Sequence, residues 1–213
     1  MKNKKDLCLS LTMLAAFGIW TLLVRFVDVQ PIGPQESAVG FATINRMFHN
    51  LTDVHMALYY ITDWLGLASV AFGFGFAILG LVQWIKRKHI LKVDHSILAL
   101  GIYYIVVFAA YLFFEEFVVN YRPILIAGYL EASYPSSTTL LVICVMSTAL
   151  IQLNTRIRNN TLRRCAVWGI KAFTAFMVIG RLLSGVHWFT DIVGGILLGA
   201  GLVMLYRFVS KLK

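Results

Sequence analysis

Residues 166–209 read AVWGIKAFTAFMVIGRLLSGVHWFTDIVGGILLGAGLVMLYRFV. The stretch holds two apolar runs, residues 166–183 and 189–209, which meet at the break Ser184-Gly185-Val186. Each run has about the 20 residues that an α-helix needs to cross a bilayer core roughly 30 Å thick. We therefore predict two successive membrane helices joined by a tight connection on one side of the bilayer.

Four further apolar runs precede this pair, at about residues 7–24, 58–85, 97–114 and 135–153. Of the 213 residues, 59% are hydrophobic and only 14% are charged, and a soluble domain could not bury so much apolar surface. The sequence therefore predicts an all-α, polytopic membrane protein, a bundle of six transmembrane helices in one domain over residues 1–213. We expect the third span to remain helical as far as Tyr121.

An outer loop follows the first span, because Asp28 and the prolines Pro31 and Pro34 interrupt the helix. Apolar residues return within this loop at near-helical spacing: Val39, Phe41, Ile44, Met47, Phe48, Leu51 and Val54. Polar residues occupy positions between them. This pattern predicts an amphipathic helix that lies in the membrane interface.

Basic residues form three clusters, at residues 86–92, 156–164 and 207–213. Each cluster follows an even number of crossings, so all three fall on one side of the membrane. Lys and Arg concentrate in cytoplasmic loops, and we therefore expect both termini to be cytoplasmic in the cell membrane. The net charge of +9 indicates topology and not nucleic-acid binding, because the cations lie between apolar runs.

Glycines recur at spacings that favour close helix contacts in lipid. Gly195 and Gly199 are four residues apart in the sixth span, and Gly66, Gly73 and Gly80 are spread along the second. Small residues let two helix backbones approach closely. Such packing matters in lipid, because there the hydrophobic effect does not drive helices together. We expect these glycines to lie at helix contacts.

Polar residues converge on the outer side of the predicted bundle, in segments 115–123, 134–139 and 181–191. Ionisable groups at membrane depth are costly unless they pair or line a polar cavity, so these segments predict one shared site. His187 and Asp191 are four residues apart on one helix face, where the carboxylate would accept a hydrogen bond from the imidazole Nδ1–H. The other ring nitrogen, Nε2, would then be free to attack phosphorus.

Two arginines and a helix start supply positive charge on the same side. Arg122 and Arg181 would present forked donors to the oxygens of one phosphate. Ser136 and Ser137 lie where the fourth span begins, and there the helix dipole and unpaired backbone N–H groups favour an anion. These two serines could equally be ordinary N-caps.

One outer segment carries the most specific pattern in the chain. In GRLLSGVHWFTD, five residues separate Arg181 from His187, and three separate His187 from Asp191. In this spacing the chain resembles the type-2 phosphatidic acid phosphatase family, whose three signatures read K-x6-R-P, P-S-G-H and S-R-x5-H-x3-D. The resemblance implies a metal-independent lipid phosphate phosphatase in which His187 forms a phosphohistidine and Asp191 orients it. The phosphate ligands that it implies are Arg122, Arg181 and the residues around Ser136.

The other two signatures are present with changes. Six residues separate Glu115 from Arg122 and its following proline, so Glu115 stands where the family has a phosphate-binding lysine. Residues 135–138, PSST, align with P-S-G-H, so Thr138 stands where the family has the histidine that protonates the leaving group. Threonine cannot supply a proton near neutral pH, and the loss of a general acid forfeits a factor of roughly 10² to 10⁴ in rate.

Glu115 is a candidate for the missing acid. It would share one face of a continuing helix with Arg122, and burial beside an anion would favour its protonated form. A rival interpretation is that Glu115 contacts a cationic head group such as choline or ethanolamine, as in a head-group transferase. Nothing in their spacing selects His49 or His55 of the first outer loop for the same role.

The sequence therefore predicts an integral membrane phosphatase whose active site faces outward and which hydrolyses a lipid phosphate monoester or a polyprenyl diphosphate. Two alternatives stay open: a catalytically weak or inactive relative that binds a lipid phosphate, and a phospholipid head-group transferase. The expected partners are the lipid phosphate and membrane lipids, without a cofactor. Cys8, Cys144 and Cys165 have no spacing that suggests a disulfide framework or a metal site.

Overall fold

A computed structural model describes residues 2–212, which form seven α-helices. Their bounds are α1 Lys2–Phe26, α2 Ala42–Thr52, α3 Met56–Arg87, α4 His95–Glu116, α5 Ser137–Arg156, α6 Asn160–Leu183 and α7 Phe189–Val209. All except α2 are long and apolar enough to cross a membrane. Across residues 2–212, β-type pairing is limited to isolated bridges. The predicted all-α architecture with six membrane spans is confirmed.

Local capping signals explain where several helices begin. The Ser136 hydroxyl accepts a hydrogen bond from the backbone N–H of Thr139 at 3.4 Å, so α5 starts at the next residue. Asn159 caps α6 in the same way, accepting from Leu162 at 3.0 Å, and this helix therefore begins before its apolar run. The predicted bounds of the last span, residues 189–209, coincide with those of α7.

The connection between α4 and α5 differs from the prediction. Helix α4 ends at Glu116, and the expectation that it continues to Tyr121 was wrong. Beyond the helix the chain is extended, and the backbone N–H of Arg122 donates to the carbonyl of Glu131 at 3.1 Å. Pro123 disfavours helix at the preceding residue, and the returning segment satisfies the backbone groups that a helix would otherwise have paired.

The short helix α2 lies in the first outer loop and packs on the start of α7. The buried Asn45 side chain exchanges hydrogen bonds with Thr190, donating to its hydroxyl at 3.0 Å and accepting from its backbone N–H at 3.2 Å. The Phe48 and Phe189 rings stack with centroids 4.2 Å apart. The exposed apolar side chains of α2 are Ile44, Met47 and Leu51. These side chains suit the interfacial position that the periodicity predicts.

Helix α7 packs closely against α1 and α5 through its glycines. A Cβ atom at Gly199 would lie 2.8 Å from Cγ2 of Ile143, and one at Gly195 would lie 3.1 Å from the carbonyl oxygen of Ser136. The predicted packing role of these two glycines is therefore correct. Larger residues would push α5 away from α7 and move the start of α5, which borders the polar outer end.

The glycines of α3 differ in how closely they contact neighbouring helices. A Cβ atom at Gly80 would lie 3.0 Å from Cγ2 of Ile97, which is a tight contact with α4. At Gly66 and Gly73 the nearest atoms would be 3.9 Å away, an ordinary van der Waals distance. The packing prediction therefore holds for Gly80, whereas the other two positions leave room beside α3.

Polar contacts tie the helices together at the end that carries the basic clusters. Asp94 accepts hydrogen bonds from Gln83 at 2.9 Å, from Arg87 at 2.9 Å and from Arg156 at 3.0 Å. These residues belong to α3, to the start of α4 and to the end of α5. The basic loops therefore lie at one end of the bundle, and the polar outer segments lie at the other.

We predict that Gly199→Ala destabilises the bundle by about 1 to 3 kcal/mol, because the added methyl group overlaps Ile143. Gly101→Ala is the matched control, since a Cβ atom there meets no atom within 4 Å. Thermal unfolding of both variants in detergent should show a lower midpoint for Gly199→Ala only. Equal midpoints for the two variants would contradict the packing described for α5 and α7.

Candidate active site

Two connections and the start of α3 meet at the outer end of the bundle. Residues 117–136 link α4 to α5, and residues 184–188 link α6 to α7. The indole N–H of Trp188 donates to the carbonyl of Tyr121 at 2.7 Å, which holds the two connections together. All three predicted polar segments therefore share one end of the molecule.

His187 lies in a loop that only glycine can close. Gly185 has a φ of +67°, and a Cβ atom there would come within 1.9 Å of the carbonyl oxygen of Asp53. The loop leaves the His187 imidazole buried. Its Nε2 atom is also buried and has no hydrogen-bond partner among residues 2–212. An unpartnered ring nitrogen in a buried position indicates a function other than stability.

Ser133 lies between the His187 imidazole and the Asp191 carboxylate. The imidazole Nδ1 and Asp191 Oδ2 are 3.9 Å apart, which is too far for the direct hydrogen bond that the spacing predicted. Ser133 Oγ lies 3.0 Å from Nδ1 and donates to Oδ2 at 2.5 Å. Since the hydroxyl proton goes to the carboxylate, the serine oxygen accepts Nδ1–H, and Nε2 is left with its lone pair.

Arg181 is buried at the end of α6 and faces α3. Its Nη1 donates to Thr62 Oγ1 at 3.3 Å and to the carbonyl of Tyr59 at 3.4 Å. Its Nη2 donates to Asp63 Oδ1 at 3.4 Å. These contacts are long, and Nε has no partner in the described part of the chain. The guanidinium is therefore positioned by α3 while at least one N–H donor remains free.

Arg122 belongs to the α4–α5 connection and lies near the aromatic ring of Tyr59, as Arg181 does. The guanidinium carbons of Arg122 and Arg181 lie 5.8 Å and 4.6 Å from the Tyr59 ring centroid. Arg122 Nε forms an ion pair with Glu131 Oε2 at 3.1 Å, and its Nη1 is buried without a partner within residues 2–212. The structure therefore brings the two predicted phosphate-binding arginines together around one ring, whose face favours cations.

Burial lowers the pKa of His187 well below its ordinary value, and the positive charges of Arg122 and Arg181 lower it further. The imidazole is therefore neutral at pH 7. A neutral ring with a free Nε2 lone pair is the form that a nucleophile requires.

The serines and threonine of the second signature have different environments. Ser136 is buried, its hydroxyl caps α5, and its backbone N–H donates to the carbonyl of Asp191 at 3.0 Å. Ser137 and Thr138 line a groove between α3, α4 and α5. The Ser136 side chain thus takes the capping role that the sequence left open, and its neighbours border the groove.

Glu115 is not on a common helical face with Arg122, because α4 ends between them. Its side chain is exposed and lines a small pocket with Ser133 and Tyr111. Ser133 contacts the Nδ1 side of His187. The expectation that Glu115 and Arg122 share one helical face was therefore wrong.

The groove between α3, α4 and α5 has a volume of about 750 Å³. Its lining is mostly apolar, with Leu67, Val70 and Phe108 along its length. Asp63 and Thr138 lie at its outer end, where Asp63 also contacts Arg181. The groove therefore runs from the lipid-facing surface of the bundle towards the arginine cluster.

Several site residues were not selected from the sequence. Asp63 carried a signal, since an ionisable residue within an apolar span is a candidate functional residue by itself. Ser133 and Tyr59 carried none, because their contacts depend on how the outer connections fold. Within residues 2–212, no group of three or more His, Cys, Asp and Glu side chains is arranged to hold a metal ion.

Comparison with known families decides the classification. A family model described as the PAP2 superfamily matches residues 94–213. The chain belongs to the PAP2 superfamily. The match covers α4 to α7 and therefore contains all three signature segments.

A solved PAP2 structure is similar over nearly the whole chain. It is the crystal structure of a transmembrane PAP2-type phosphatidylglycerolphosphate phosphatase from Bacillus subtilis, which matches with a TM-score of 0.58. The match covers 93% of this chain and 94% of that chain at 16% sequence identity, so it shows the fold. A search of curated proteins found no match. The chain is therefore a multi-pass membrane protein with the PAP2 phosphatase fold.

The buried neutral imidazole predicts a pH dependence of stability. In the unfolded chain His187 takes up a proton near its ordinary pKa of 6.5, whereas the folded chain resists protonation. Stability therefore falls as the pH drops below 6.5. Between pH 6.5 and about pH 5, wild type should lose up to about 2 kcal/mol more stability than His187→Gln. Denaturant unfolding in detergent measures this, and parallel losses in both proteins would contradict a neutral buried imidazole.

Proposed function

We propose that this PAP2 protein is a membrane phosphatase that hydrolyses a lipid phosphate monoester or a polyprenyl diphosphate through a phosphohistidine at His187. The observation that carries the proposal is the buried Nε2 of His187, which has no partner in the described chain. Arg122 and Arg181, each with an unpartnered donor, lie close enough to influence its charge. A phosphate would satisfy all three groups at once.

The reaction proceeds in two displacements. In the first, the Nε2 lone pair forms a bond to phosphorus and the bond from phosphorus to the leaving oxygen breaks. A monoester then leaves as an alcohol after taking up a proton, and a diphosphate leaves as the polyprenyl monophosphate. In the second, a water oxygen attacks the phosphohistidine and gives up a proton, the N–P bond breaks, its electron pair returns to Nε2 and inorganic phosphate leaves. Ser133 and Asp191 stabilise the positive charge on the phosphorylated ring through Nδ1–H.

The guanidinium groups neutralise the charge that develops on the phosphoryl oxygens. Phosphoryl transfer depends largely on positioning and on such electrostatic stabilisation. The imidazole provides the nucleophile and the arginines provide the positive charge, so the proposed chemistry requires no metal ion. Ser136 contributes by fixing the start of α5 through its cap and its backbone bond to Asp191.

The apolar groove supports an amphiphilic substrate. Its length lies within the membrane-spanning helices, whereas its outer end borders Arg181 through Asp63. The hydrocarbon chain of a lipid could lie in the groove without entering water, and the phosphate of the same lipid would reach the arginines. A soluble phosphate ester would leave the groove unused.

The outward orientation of the site is part of the proposal. The basic loops, which include Arg87 and Arg156, lie at the end opposite to His187. Because positive loops remain in the cytoplasm, the site would face the outside and both termini would be cytoplasmic.

The proposal is tested with purified wild type and His187→Ala on phosphatidic acid, phosphatidylglycerophosphate and a polyprenyl diphosphate. Released phosphate and exchange of the head group are both measured. We expect wild type to release phosphate from at least one substrate, and His187→Ala to be slower by roughly 10³-fold or more, because it lacks the nucleophile.

His89→Ala is the matched control, since His89 is an exposed residue in the basic loop at the opposite end of the bundle. Its activity should equal that of wild type. Exchange of the head group without phosphate release would indicate a transferase. Binding of a lipid phosphate without turnover would indicate a non-hydrolytic relative, and either result would contradict the proposal.

A further inference from the structure

Asp63 is a charged residue within the membrane-spanning helix α3. Its side chain is 54% exposed, and it lines the outer end of the apolar groove. Its Oδ1 atom accepts a hydrogen bond from Arg181 Nη2 at 3.4 Å. An ionisable side chain at this depth is costly unless it pairs or lines a polar cavity, and Asp63 pairs with Arg181.

Asp63 lies beside the residue that replaces the proton-donating histidine of the second signature. Gly66, three residues further on, shares its helix face, and a Cβ atom there would be 3.9 Å from Cγ2 of Thr138. Helices α3 and α5 therefore meet at Thr138, and Asp63 lies one turn nearer the outer end. Its carboxylate is at the junction between the groove and the arginine cluster.

We propose that Asp63 is the general acid and base of the reaction, in place of the missing histidine. The inference rests on the proposed function, because it requires a phosphate at Arg122 and Arg181 and a lipid chain in the groove. The oxygen that joins the phosphate to the lipid would then lie at the junction that Asp63 borders. Glu115 lines a separate small pocket with Ser133, whereas Asp63 lines the groove itself.

The Asp63 carboxyl group would donate the proton that the first displacement needs and accept the proton that the second releases. As the N–P bond forms and the P–O bond breaks, Asp63 gives its proton to the leaving oxygen, which departs as an alcohol. The resulting carboxylate then takes a proton from the attacking water while the new P–O bond forms and the N–P bond breaks. Inorganic phosphate leaves, and Asp63 is protonated again.

The charged and titratable groups that face Asp63 come from three helices. Arg181 on α6 is its ion-pair partner, and Tyr59 lies one turn before it on α3. Tyr111 on α4 lines the same groove, and α5 contributes only the hydroxyls of Ser137 and Thr138. A phosphate bound at Arg181 would compete with Asp63 for the guanidinium.

The test compares two leaving groups, because a general acid matters only when the leaving oxygen is a poor one. The first substrate is dioleoyl phosphatidic acid, whose diacylglycerol leaving group would be a poor alkoxide unless an acid protonates it. The second is 4-nitrophenyl phosphate, whose 4-nitrophenolate leaving group needs no proton. In single-turnover measurements of leaving-group release, which report the first displacement alone, Asp63→Asn should be slower by roughly 10²- to 10⁴-fold on phosphatidic acid and by less than about 10-fold on the aryl phosphate. Glu116→Gln, an exposed carboxylate at the end of α4, should leave both rates unchanged.

Equal slowing of leaving-group release by Asp63→Asn on the two substrates, or no slowing on either, would overturn the assignment, because a residue that merely positions Arg181 affects both first displacements alike. A leaving-group dependence in Glu115→Gln instead would also overturn it. Asp63→Ser is measured in the same way in case the amide variant does not fold. Wild type that is as inactive as His187→Ala on these two substrates and on the other lipid phosphates of the panel would refute the proposed function, which separates the two failures.

Discussion

The buried carboxylate of Asp191 determines the geometry of the outer end, because three donors from two connections hydrogen-bond to it. Ser133 donates to Oδ2 at 2.5 Å, the backbone N–H of Trp188 donates to Oδ2 at 2.9 Å, and Asn120 donates to Oδ1 at 3.4 Å. A buried carboxylate without such donors would be strongly destabilising. Two of these donors belong to the α4–α5 connection and one to the α6–α7 connection, so the two connections are fixed relative to each other, and with them the groups that surround His187.

The charged groups near His187 repel each other less when an anion is bound between them. Arg122 and Arg181 each have one carboxylate partner, Glu131 or Asp63, and both lie near the Tyr59 ring. These contacts keep two like charges close together at the end of a membrane protein, while donors on both guanidinium groups stay unpartnered in the described chain. An anion between the arginines would relieve their repulsion and use those donors.

The bundle itself could be predicted from the sequence, because apolar length and the distribution of Lys and Arg are properties of single segments. The bounds of α7 agree with the prediction to the residue, and the close contacts of Gly195 and Gly199 followed from their spacing. The end of α4 could not be predicted in this way. Residues after Glu116 pair with the segment around Glu131, and no pattern within one helix reveals a pairing across a loop.

The site residues that were predicted lie in segments that helix alternation places, whereas the missed ones depend on how the connections fold. Arg122, Arg181 and His187 were selected because the alternation of helices places their segments at one end, and the structure brings the two arginines together around the Tyr59 ring. Ser133 was missed because its position between an imidazole and a carboxylate depends on the course of the α4–α5 connection. Asp63 could have been found from its place in an apolar span, although its contact with Arg181 could not.

The central claim of this account is that Nε2 of His187 becomes covalently bonded to phosphorus. The most direct measurement is rapid quenching of wild-type protein during turnover of a ³²P-labelled lipid phosphate, followed by peptide mapping of the label. The account predicts a phosphoryl group that is stable in alkali, labile in acid and located on His187. Label on a serine such as Ser133, or sustained phosphate release without any labelled protein, would contradict it.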